Sequence, residues 1–76
     1  MNWLPVREGY QQGRSDIGSA WIKLNQQGEA VAWYTCFGST QKWIAEEGDS
    51  VELVQEIIEE EYHRVLFSRE LAQKNR

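Results

Sequence analysis

One cysteine, one proline, one methionine and one histidine are spread through 76 residues. With Cys36 alone, no internal disulfide can form and no two-cysteine half of a zinc site exists. Flanked by Thr35 and Phe37, Cys36 reads as a small buried hydrophobe in a reducing compartment. No run approaches the roughly 18 apolar residues that a membrane span requires. The opening MNWLPVREGYQQGR lacks the basic-then-apolar order of a secretory leader. Internal repeats and low-complexity tracts are missing too. Gly9, Gly13, Gly18, Gly28, Gly38 and Gly48 are scattered as turn residues rather than gathered into a phosphate-cradling loop. Together these absences predict a soluble cytoplasmic protein with no cofactor, no membrane contact and no evident small-molecule substrate.

The charge is scarce on one side. The net charge is −4, with residues 46–76 carrying nine acids against four bases, and residues 1–45 carrying three acids against four bases. Duplex DNA demands a basic footprint, which this balance disfavours. Aromatic content of 12% argues in turn for a folded chain rather than a disordered one. At this length a chain buries only roughly 60% of its unfolded surface, so the core must be small.

What is present falls into three parts of one domain, residues 1–76. Residues 1–16, punctuated by Pro5, Gly9 and Gly13, read as an irregular arm. Residues 17–45 read as a β-meander. IGSAWIKL and AVAWYTCF are β-branched and aromatic runs joined by NQQGE, and a GST turn leads to a third short strand, QKWIA. EEGDS then breaks the sheet. Residues 49–74 read as one helix, with Asp49 as N-cap and Glu52 completing a capping box. Val51, Val54, Ile57, Ile58, Tyr62 and Val65 form its apolar stripe at 3.6-residue spacing. The expected fold is α+β: a three-stranded antiparallel meander packed on one long C-terminal helix.

The segment EIIEEEYHRV holds most of the chain's candidate chemistry. Glu60 and His63 make an E-x-x-H pair on one helix side, yet a di-iron bundle needs two such motifs and carboxylates from other helices. A zincin's H-E-x-x-H is absent. Glu52, Glu56, Glu59 and Glu60 lie largely opposite the apolar stripe and read as a solvated face, with acid before base along the helix as the macrodipole favours. Glu60 and Arg64 stand at i and i+4, the better orientation for a helical ion pair. No serine has a motif linking it to His63, and nothing raises a carboxyl pKa on an exposed face, so no catalytic role is assigned.

The strands suggest where a partner would dock. A three-residue QQG loop pairs Asn25 with Glu29, and an unbroken ladder then sets Trp21 opposite Trp33. A GST loop sets Thr35 opposite Trp43. One face then holds Ile22, Leu24, Ala30, Ala32, Tyr34, Cys36 and Ile44, small enough in its middle for the helix to approach. The other collects Trp21, Trp33, Trp43 and Phe37, with Lys23 at one end. That aromatic face needs a cover: the N-terminal arm, a protein surface or stacked bases. Phe67 and Leu71 form a second apolar flank near the helix end. The expected function is a small acidic, non-catalytic protein-interaction module of accessory, regulatory or inhibitor type. It would bind a protein partner or a second copy through Trp21, Trp33, Trp43, Phe37, Phe67 and Leu71. Single-stranded nucleic-acid binding on the sheet tryptophans is the alternative. Should the acidic helix face also dock onto a basic groove, its affinity falls steeply with added salt, since exposed charges are screened; a salt series of the binding isotherm checks this.

Overall fold

In the computed structural model, which describes residues 1–37, 40–44 and 49–74, the chain forms an antiparallel sheet and one helix. The sheet has four strands of five residues or more, not three. These are β2 (Tyr10–Ser15), β3 (Gly18–Leu24), β4 (Ala30–Cys36) and β5 (Thr40–Ile44), and a two-residue piece, β1 (Asn2–Trp3), extends it beside β2. Neighbours in sequence are neighbours in space throughout, in the order β1-β2-β3-β4-β5. The helix, α1, spans Val51–Lys74.

The additional strand lies in the stretch expected to be an irregular arm. β2, YQQGRS, has little β propensity, but it alternates in burial because its even and odd residues face different layers. Ser15 pairs with Gly18, so Asp16 and Ile17 form a two-residue turn. The Ser15 hydroxyl closes that turn, donating to the Gly18 carbonyl at 2.7 Å and accepting from the Ile17 N–H at 3.3 Å. Gly18 is required here. Its φ is +147°, and a Cβ at this position would lie 1.8 Å from the Cys36 carbonyl oxygen on the neighbouring strand.

The loop between β3 and β4 forms as its sequence predicts. Asn25 N–H donates to the Glu29 carbonyl at 2.9 Å, and Gly28 takes a positive φ of 82°. The Asn25 side-chain oxygen also accepts from Gln27 N–H at 3.0 Å and Glu29 N–H at 2.9 Å. Leu24 pairs with Ala30, as expected, but Lys23 pairs with Ala32, so Val31 is an extra residue in the ladder. From that bulge onward β4 is one position out of the expected register. Ile22 faces Trp33, and Trp21 faces Tyr34. The β4–β5 register differs by two residues, with Trp33 opposite Trp43 and Cys36 opposite Thr40. A shift of two leaves each side chain's face unchanged; a shift of one reverses it. Residues 38–39 of the GST turn and residues 45–48 of the sheet break lie outside the described residues.

Helix α1 starts on Ser50 rather than Asp49. The Ser50 hydroxyl accepts from Leu53 N–H at 3.1 Å, and its carbonyl accepts from Val54 N–H at 3.1 Å. The Asp49 carbonyl instead accepts from Ala30 N–H at 3.3 Å, which ties the helix entry to the start of β4. From there Val51, Val54, Ile58, Tyr62 and Val65 meet the sheet. Ile57, expected in this stripe, sits 36% exposed on the flank. The core joins Val54 and Ile58 to Ala20, Ile22, Ala30, Trp33 and Phe37. Complete burial of Ile22, Val54 and Ile58 stabilises by roughly 1.5–3 kcal/mol each before entropic costs. Small residues let large ones in: the Trp3 ring lies where a Cβ on Gly13 would be, 2.7 Å from its Cε3. A 24-residue helix is about 36 Å long and strands of five to seven residues about 17–24 Å, so the last turns of α1 run past the sheet.

Substitution of Gly18 by alanine is expected to destabilise the fold by at least about 2 kcal/mol, because both φ and the Cys36 carbonyl oppose a Cβ. A denaturant midpoint unchanged from the native protein would contradict this.

Candidate functional site

The bulge at Val31 separates the tryptophans expected to cluster. Trp33 turns toward α1 and is 8% exposed, and Phe37 on the same face is 6% exposed. Neither is presented to a partner, which corrects their placement on an open aromatic face. Phe37 packs edge-on against Tyr62, with ring centroids 5.9 Å apart. Trp43 is placed by its backbone, opposite Trp33; its side chain lies outside the described residues. Trp21, unlike Trp33, stays on the face away from the helix, half-buried. Cys36, expected in the core, is on this outer face as well and is half-buried.

The outer face therefore has a different composition from the expected one. Across β2, β3 and β4 it carries Tyr10, Gln12 and Arg14, then Ser19, Trp21 and Lys23, then Ala32, Tyr34 and Cys36. Tyr10 is 42% exposed. Residues 4–8 rise beside it: Leu4 N–H donates to the Gln12 carbonyl at 2.8 Å, and Arg7 and Tyr10 bridge through paired backbone bonds at 2.7 and 3.0 Å. The result is a cleft of about 590 Å³ whose lining includes Leu4, Val6, Tyr10, Arg14 and Trp21. Among the described residues, Arg7, Arg14 and Lys23 are exposed on this side against one acid, Glu8. The sequence signal for it was the alternation of Tyr10, Gln12 and Arg14, hidden by Gly9 before it and Gly13 within it.

The acidic residues sit on the other layer. Glu52, Glu56 and Glu60 are exposed on α1. Glu59 is committed elsewhere: it accepts from the Trp3 indole N–H at 3.1 Å and stands 4.0 Å from the Met1 amine. Glu59 thus fixes β1 to the helix rather than extending an acidic row. Arg64 forms its ion pair with Glu61, three residues before it, not with Glu60. That bidentate bond holds the Glu61 carboxyl below its usual range and raises the Arg64 guanidinium. His63 is exposed, with its ring edge-on to Tyr62 at 5.2 Å. Among the described residues no three His, Cys, Asp or Glu side chains converge as metal ligands. Phe67 and Leu71 are 62% and 45% exposed beyond the sheet's end.

A polar clasp closes the helix onto the β2–β3 turn. Tyr62 hydroxyl donates to Asp16 Oδ1 at 2.7 Å. The bond lowers the Asp16 pKa below its ordinary 3.8, and it raises that of Tyr62 above 10.0. Gln55 adds a second tie, donating to the Gln11 side-chain oxygen at 2.7 Å. No helix among the described residues is long and apolar enough to cross a membrane. No family model, curated protein or solved structure matches the chain.

The clasp has a defined pH signature. A depressed Asp16 pKa stabilises above the unfolded value and loses that contribution as pH falls through the folded one, below 3.8. A raised Tyr62 pKa stabilises below 10.0 and loses it as pH rises beyond. The stability difference between the native chain and Tyr62→Phe should therefore be flat through neutral pH and shrink at both extremes. Denaturant midpoints across pH measure it; a difference independent of pH would count against the clasp.

Proposed function

We propose that this chain is a small, non-catalytic protein-interaction module that docks its partner on the open face of the sheet, at the Trp21 cleft. The observation that carries the reading is the one-sided cover: α1 packs on one face of the sheet, and Tyr10, Trp21 and Tyr34 remain on the other beside the cleft. Aromatic anchors with apolar bodies and polar tips, rimmed by arginine, have the composition that carries binding energy at protein interfaces. Arg7, Arg14 and Lys23 suit a partner segment that offers an apolar side chain to the cleft and carboxylates to its rim. The acidic helix lies on the far layer, so it does not oppose such an approach.

A second reading draws on the same interleaving of aromatics and bases. Tyr10, Trp21 and Tyr34 could stack unpaired bases while the three bases follow a phosphate backbone. Protein docking is favoured because Leu4, Pro5 and Val6 line the cleft with Trp21, an aliphatic surface that suits an apolar side chain better than a stacked base.

Two measurements test the proposal. Affinity capture with the native chain should retain a protein that Trp21→Ala and Arg14→Glu both lose by roughly tenfold or more, while circular dichroism shows each variant folded. Retention unchanged in both variants would overturn the assignment of this face. Titration with a mixed-sequence single-stranded oligonucleotide at low salt separates the two readings. Quenching of tryptophan fluorescence that is lost in Trp21→Ala would favour nucleic acid.

A further inference from the structure

One flank of α1, outside its packing stripe, carries Leu53, Ile57, Glu60, Arg64, Phe67 and Leu71 at alternating spacings of four and three residues, and Ile57, Glu60 and Arg64 border a small hollow beside Trp33. That alternation is the seam of a two-stranded coiled coil, in which side chains every 3.5 residues face a neighbouring helix. Its four apolar members are 44%, 36%, 62% and 45% exposed, in chain order. None belongs to the buried core or to the side chains packed against it.

The order of chemistry along the seam reads the same in both directions once charge sign is exchanged: two apolar residues, an acid, a base, two apolar residues. Laid against a second copy end for end, with Tyr62 level in both, Leu53 meets Leu71, Ile57 meets Phe67 and Glu60 meets Arg64. Each pairing occurs twice, as a twofold axis requires. A parallel alignment would instead set Glu60 on Glu60 and Arg64 on Arg64.

We propose that the protein self-associates through this seam as an antiparallel, helix-to-helix dimer, with the two sheets outermost. The side chains are available for it. Glu60 is exposed and makes no ion pair among the described residues. Arg64 spends Nε and Nη2 on Glu61, leaving Nη1 to reach a second carboxylate. Opposed helix macrodipoles add to the preference for the antiparallel arrangement. The association is weak and concentration-dependent. A charged pair stands at its centre where an apolar layer would bind more tightly, and Glu56 of one copy approaches Glu70 of the other across the flank. The Trp21 cleft stays open in the dimer, so this inference stands or falls apart from the docking role proposed for the sheet.

Sedimentation velocity at rising protein concentration tests it, on the native chain, Glu60→Arg, Arg64→Glu and the double variant. All four keep the core intact, which circular dichroism verifies. The native chain should form dimers. Each single variant should dimerise at least roughly tenfold more weakly, because like charges then face each other at the centre. The double variant, and an equimolar mixture of the two single variants, should regain dimers, since both restore acid opposite base. A native chain that remains monomeric overturns the proposal. So do single variants that dimerise as well as the native chain, or a double variant and mixture that fail to recover.

Discussion

Between Leu24 and Lys23 the β3–β4 ladder advances one residue on one strand and two on the other. That local insertion decides which aromatic side chains are buried. Beyond Val31, β4 presents Trp33 and Thr35 to the helix, followed by Phe37 just past its end, and Ala32, Tyr34 and Cys36 to the opposite side. The core depends on this choice. Small residues, Gly13 and Ala20, stand beside Ile22 on the helix face of β2 and β3, and Trp33 and Phe37 add the aromatic bulk from β4 and the residue that follows it. With the faces of β4 reversed, Tyr34 and Cys36 would face Val54 and Ile58, and two large apolar rings would be left outside.

The helix is fixed against this core at points spread along its length. Its entry is tied to β4 through the Asp49 carbonyl, its middle to β2 through Gln55 and to β1 through Glu59, and Tyr62 closes on Asp16. These polar bonds cross the layers at their margins, while Ile22, Val54 and Ile58 fill the middle. The division of labour is the usual one for a small domain: apolar burial supplies most of the stabilisation, and the marginal hydrogen bonds fix orientation.

Much of this was legible in the residues. The QQG loop, the two strands around it, the uninterrupted helix and its Val51–Val54–Ile58–Tyr62–Val65 stripe all follow from turn chemistry and periodicity. Three features did not. β2 has a glycine at its centre and few β-branched residues, because Gly13 must admit the Trp3 ring; a tertiary requirement overrides local propensity there. The bulge leaves no mark in AVAWYTC, since either register puts an apolar residue on each face. One extra residue was enough to reverse the strand and divide Trp21 from Trp33. Asp49 and Ser50 are both good caps; Ser50 takes the role, while the Asp49 carbonyl is engaged by the Ala30 N–H. The candidate site changed accordingly, from a tryptophan cluster to one tryptophan in the company of tyrosines and bases.

The two sides of the sheet end differently. β1 contributes two residues, too few to serve as a template for strand addition by another chain. β5 contributes five, and its outward row of backbone donors and acceptors meets no further strand among the described residues. Among the described residues, β5 is therefore the border that offers a template for strand addition, and β1 is not. The lysine at the centre of TQKWI is the kind of residue that natural sheets use to guard such a border.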